Sequence, residues 1–122
     1  MLEFDLQGDK SILVVRPLGA LEAGDFARVA KAVDPYLLAN GKLVGLLIEA
    51  PSFPGWHDFA ALVAHLKFVR DHQRNIERVA AVTDSSFLRI VPALAAHFAH
   101  PDIKIFGSGE VARALSWLQS GS

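Results

Sequence analysis

Residues 43–48, Leu-Val-Gly-Leu-Leu-Ile, form a continuous apolar run with no polar residue at any second position. A strand that faces water on one side alternates apolar and polar side chains, whereas this one carries nothing that water would favour on either side. Such a strand belongs in the middle of a sheet covered on both faces. That requirement leads directly to an α/β fold, because helices are the elements that cover both faces of a parallel sheet.

The flanking segments fit this frame. Leu2, Phe4 and Leu6 alternate with Glu3, Asp5 and Gln7, which predicts a half-buried strand, and Gly8-Asp9 supplies the turn into a partner strand over residues 11–16. Phe26, Val29, Val33, Tyr36 and Leu37 recur at helical spacing across residues 22–40, and Asn40-Gly41 marks the stop. Pro35 lies inside that pattern and predicts a kink or break near Asp34-Pro35.

After a loop over residues 51–55, a helix is expected over 56–72 with Phe59, Leu62, Val63, Leu66 and Val69 as its inner stripe. A strand over 76–83 follows. Asp84-Ser85-Ser86 then precedes a helical stripe of Phe87, Ile90, Val91, Leu94 and Phe98, within which Pro92 implies either a separate tight turn or a kinked helix. Residues 102–106 read as a last short strand, and Ser108 as the cap of a final helix turning Val111, Leu115 and Leu118 inward. The expected fold is a single α/β domain over residues 1–118, with residues 119–122 as a flexible tail. It has a mostly parallel five-stranded sheet, an antiparallel N-terminal hairpin strand, and helices on both faces.

Composition narrows the function. The 122 residues suit one core, 52% are hydrophobic, and 12 basic against 13 acidic residues give a formal net charge of -1. No basic field is available to attract nucleic acid. The absence of cysteine excludes disulfide scaffolds, thiolate metal sites and a cysteine nucleophile. The N-terminus Met1-Leu2-Glu3-Phe4-Asp5 lacks the basic start and apolar run of an export signal, which predicts a cytoplasmic protein whose only membrane contact is peripheral. No glycine-rich phosphate loop, nucleophile elbow or poised carboxylate pair occurs, so no catalysis, cofactor or metal is expected.

Several short motifs then occur in a characteristic order: Gly55-Trp56 opening a helix, Leu66-Lys67-Phe68 near its end, Val82-Thr83-Asp84 closing a strand, and Ala114-x-x-Trp117-Leu118 in the last helix. In this order and spacing, over nearly the whole chain, the sequence resembles the SpoIIAA-like family, which is related to STAS domains. The resemblance implies a STAS-like fold, similar in shape to CRAL-TRIO lipid carriers, and a role in binding apolar or lipid-like ligands with peripheral membrane association. A STAS-like module that binds a protein partner or forms a homodimer is the alternative it implies. STAS-type antagonists carry a phosphorylatable serine in an Asp-Ser-Ser-Gly turn, but Asp84-Ser85-Ser86 falls one strand later and is followed by Phe87. The phosphorylation site is therefore not carried over; Ser52 stands at the equivalent position, between Pro51 and Phe53.

Ligands on such sheets sit beyond the carboxyl ends of the strands. The expected ligand residues are accordingly Ser52, Phe53, Trp56, Asp84, Ser85, Ser86 and Phe87. Asp84-Ser85-Ser86 reads equally as a plain helix cap or as an anion-holding turn, and Trp56 as a pocket wall or as a clamp on the helix start. A partner or membrane face is expected from His57, His65, Phe68 and His72, which fall opposite the assumed inner stripe and would gain charge below about pH 6.5. His65 and His72 are seven apart, too far for a helical metal pair, while His97 and His100 suit a helix C-terminus.

Overall fold

The structure is a computed structural model describing residues 1–51, 55–84 and 102–121. Two strands open the chain, β1 (Leu2–Gln7) and β2 (Ile12–Pro17), followed by α1 (Ala23–Asn40) and β3 (Leu43–Glu49). Next come α2 (Phe59–His72), a short 3-10 turn (Gln73–Asn75), β4 (Ile76–Val82), β5 (Asp102–Phe106) and α3 (Val111–Ser120). The five strands form one sheet in the order β1-β2-β3-β4-β5, antiparallel between β1 and β2 and parallel thereafter. The apolar run is indeed central: β3 pairs with β2 on one side and β4 on the other.

The sheet advances in chain order, so two successive crossovers of one hand place α1 and α2 on the same face. Leu2, Leu13, Phe26, Val29, Val33 and Val79 form the core beneath them. The second face is closed by α3, which packs Ala114 and Leu118 on Ile12, Val14, Leu47, Ala80 and Val82. Gly45 makes that approach possible. A Cβ at this position would lie 2.9 to 3.1 Å from three atoms of the Leu118 side chain, so α3 rests directly on the backbone of β3.

Three expectations need correction. Pro35 does not break α1, which runs unbroken for 18 residues to Gly41, whose amide bonds Leu37 O at 2.7 Å with φ at 85°. The bond that proline removes belongs to the carbonyl of Lys31, on the exposed side of the helix that water can reach, while Val29 and Val33 are pinned in the core on the other side. Second, α2 begins at Phe59 rather than Trp56, because Asp58 accepts the Ala61 amide at 2.9 Å as its N-cap. Third, Ser108 does not cap α3. Glu110 holds the N-cap position and turns its carboxylate back onto the Gly107 amide at 2.9 Å. The helix extends through Gln119 and Ser120, and Arg78 reaches from β4 to bond Leu118 O at 3.1 Å. The helical stripe expected from Phe87 to Phe98, with Pro92, His97 and His100, lies outside the described residues.

Candidate functional site

At the carboxyl edge, Thr83 is fully buried and its amide bonds Phe106 O at 2.9 Å. Asp84 is exposed and accepts the Ser108 amide at 3.3 Å, joining the ends of β4 and β5. The Glu110 carboxyl is held below its ordinary value first by the Gly107 amide and then by Arg113 and Lys104, against a smaller opposing effect of burial. Of the ligand residues expected here, Ser52, Phe53, Ser85, Ser86 and Phe87 lie outside the described residues.

Trp56 is described, and it is engaged. Leu21 and Trp56 form an isolated parallel bridge, with Leu21 N on Gly55 O at 2.8 Å and His57 N on Leu21 O at 2.7 Å. The half-buried indole packs against the core and donates its N–H to His65 Nδ1 at 3.1 Å. This is the clamp reading of Trp56, extended to a second helix: the loops that precede α1 and α2 are tied to each other.

The bond to His65 begins a continuous aromatic seam between the helices. His65 stacks on Phe26 of α1 with ring centroids 4.7 Å apart, Phe68 lies 6.1 Å from Phe26, and His72 stacks on Phe68 at 4.1 Å. His72 Nε2 then meets Asp34 Oδ1 of α1 at 2.6 Å, and its Nδ1 meets Phe68 O at 2.7 Å. Contacts progress in step along both helices, so α1 and α2 run the same way. The face expected to meet a partner is therefore turned inward: His72 is buried, His65 and Phe68 are half-buried, and only His57 is exposed.

The reason is local satisfaction of polar atoms. Burial of an imidazole is costly only while its nitrogens lack partners, and here Trp56, Phe68 O and Asp34 supply them. Ala61 and Ala64 also let the helices approach closely. Burial lowers the His65 pKa below its ordinary value, keeping the ring neutral. Both His72 nitrogens face acceptors, a carbonyl and a carboxylate, leaving no lone pair toward open space for base catalysis.

The expected inner stripe is correspondingly turned out. Phe59 is 77% exposed, Leu66 62%, Val69 44% and Val63 39%. Beside this ridge runs a groove of about 330 Å³, walled by Ala23, Phe26, Ala27 and Ala30 of α1 and by Val63, Ala64 and Phe68 of α2, with Lys67, Asp71 and His72 along its length. Neither ridge nor groove was anticipated from the sequence. The signal available was the run of alanines at 23, 27 and 30, which narrows α1 where a neighbour passes.

Among the described residues no group of three or more His, Asp or Glu is placed to hold a metal, and no helix is long and apolar enough to cross a membrane. A sequence profile of the SpoIIAA-like family matches residues 12–119. The structure is similar to the crystal structure of an uncharacterised protein of the DUF3478 family from Shewanella loihica PV-4, which has a SpoIIAA-like fold. The TM-score is 0.72 at 20% identity, covering 97% of this chain and 92% of the other. No curated protein matches the chain.

Proposed function

The chain belongs to the SpoIIAA-like family, and on that footing we propose that it is a non-enzymatic binding domain for an apolar or lipid-like small molecule. The observation that carries this reading is the groove between α1 and α2, whose walls are carbon-lined and which has a single ammonium, Lys67, beside it. Concave apolar sites with few polar groups are the usual form of small-molecule sites. An acyl chain laid along Ala27, Ala30, Val63 and Phe68 would leave its carboxylate within reach of Lys67. This moves the expected ligand site from the carboxyl edge to the helical face, since Trp56 is occupied with His65. A peripheral membrane role fits the same face, because the exposed Phe59 and Leu66 border the groove from which a lipid would enter.

The absence of catalysis is part of the proposal. It is supported by His72, whose nitrogens are both engaged, and by the neutral, stacked His65. Native mass spectrometry of the protein purified from cells should show a co-purifying acyl compound, and decanoate or palmitate should raise the melting temperature. Ala30→Trp, which fills the groove, should abolish the shift. Absence of both a bound mass and any shift would overturn the reading.

A further inference from the structure

The outward residues of α2 form a pattern that extends beyond the groove they border. Phe59, Val63, Leu66 and Arg70 are spaced by four, three and four, the seam of a heptad, with Leu62 and Val69 one position to the side. Four of these side chains, Phe59, Val63, Leu66 and Val69, are large, apolar and exposed. Contiguous apolar surface of this kind marks an interaction site more often than chance exposure does.

From this ridge we propose that α2 is the contact of a two-fold homodimer, in which the α2 helices of two copies pair antiparallel and each ridge enters the other copy's α1–α2 groove. Three observations select a second copy as the occupant. The ridge lies against a groove it matches: Val63 belongs to both, and the small Ala23, Ala27 and Ala30 leave the space that Phe59 and Leu66 of a facing copy would fill. An isologous contact requires such self-complementarity within one surface patch.

Second, the charges are polarised along the helix. The exposed Asp58 and Glu22 mark its N-terminal end, while Lys67, Arg70 and Arg74, against the carboxylates of Asp71 and of Asp34, the latter paired with His72, mark its C-terminal end. Antiparallel pairing sets each acidic end against a basic one, and it opposes the helix dipoles favourably. Parallel pairing would do the reverse. Third, the antiparallel orientation gives the heptad pattern a complementary register. A two-fold axis beside Ala64 and His65 pairs Val63 with the partner's Leu66, and Phe59 with the partner's Arg70, whose guanidinium can cover the ring. The net charge of -1 does not oppose association.

One helix and its groove form a contact at the small end of specific interfaces, so the dimer should dissociate in about the micromolar range. The test is sedimentation equilibrium of the full chain from about 5 to 200 µM, a span chosen to bracket that range. The expected result is a mass that rises from monomer toward dimer. Leu66→Glu and Val63→Lys should each be monomeric throughout. An equimolar mixture of the two should regain dimer, because the new carboxylate of one copy then faces the new ammonium of the other across the axis. Phe59→Glu serves as a further disrupting variant should either of these fail to fold. A parent that stays monomeric at the highest concentration, or variants that dimerise like the parent, would overturn the proposal. The two readings use one groove and therefore compete: palmitate should return the parent toward monomer, a monomeric parent that still responds to palmitate removes the dimer alone, and a parent diluted to monomer that shows no palmitate response removes the ligand reading alone.

Discussion

Two phenylalanines on one helix make the sharpest test of how α2 is seated. Phe68 is half-buried, with its ring against Phe26 and stacked on His72, whereas Phe59 is 77% exposed. A phenylalanine side chain offers about 200 Å² for burial, so removing a little over half of that at about 25 cal/mol per Å² costs about 3 kcal/mol at Phe68. The two ring contacts add up to about 1 kcal/mol. At Phe59 the quarter that is covered corresponds to about 1 kcal/mol, and the better helix propensity of alanine returns about half of it. Phe68→Ala is therefore expected to destabilise by about 3 to 4 kcal/mol and Phe59→Ala by about 0.5 kcal/mol. For a domain of this size, 1 kcal/mol moves the melting point by about 4 °C, so the variants should differ by about 10 °C in a thermal melt followed by circular dichroism. Making both variants in the monomeric Leu66→Glu background keeps association from contributing. If Phe59→Ala were the more damaging of the two, the seating of α2 described above would be wrong.

Three other outcomes are expected. Gly45→Ala places a methyl group about 3 Å from Leu118 and should cost about 1 to 3 kcal/mol in urea unfolding, with Leu118→Ala in the same chain recovering part of the loss. Asp25 is buried and accepts the Glu22 amide at 2.9 Å and the Arg28 guanidinium at 2.6 Å. Burial opposes its ionisation, but the Glu22 amide, Arg28 and the N-terminal ammonium outweigh it and hold the carboxyl below its ordinary value. Asp25→Ala should destabilise by about 2 kcal/mol at neutral pH, and the difference from the parent should shrink in acid as the carboxylate is protonated. His65 has the opposite chemistry but the same sign: its folded form prefers to be neutral, so its contribution is complete above about pH 6.5 and is lost as pH falls through the lowered folded value. His65→Phe should flatten stability against pH below about 6.5.

Most of the sheet was legible because its rule is simple. The alternation of Leu2, Phe4 and Leu6 and the two-sided run at 43–48 each admit few placements, and both strands form where the pattern puts them. The seating of α2 was not legible, because the helix is apolar on more than one side. Ranking its faces by side-chain size chose Phe59, Val63 and Leu66, whereas packing chose Ala61 and Ala64, which admit α1, and His65 and His72, whose polarity is cancelled by partners. Those partners are Trp56, nine residues before His65, and Asp34, 38 residues before His72, separations that no helical periodicity reveals. The same blindness placed a partner or membrane face of histidines where the structure has an interior seam, and missed the groove beside it. Pro35 misled in another way: it removes a bond on the side of α1 that water can reach, and burial on the other side preserves the helix.

The bridge between Leu21 and Trp56 has a mechanical consequence. Two loops that leave neighbouring strands, and that would otherwise fluctuate separately, share two backbone hydrogen bonds. The N-terminal ends of α1 and α2 are thus hinged together, and any widening of the space between the helices must open like a pair of shears from the opposite end, where Asp34 meets His72. The amides of Leu21 and His57 should then exchange with deuterium as slowly as those of a regular strand, although each lies in a connecting segment.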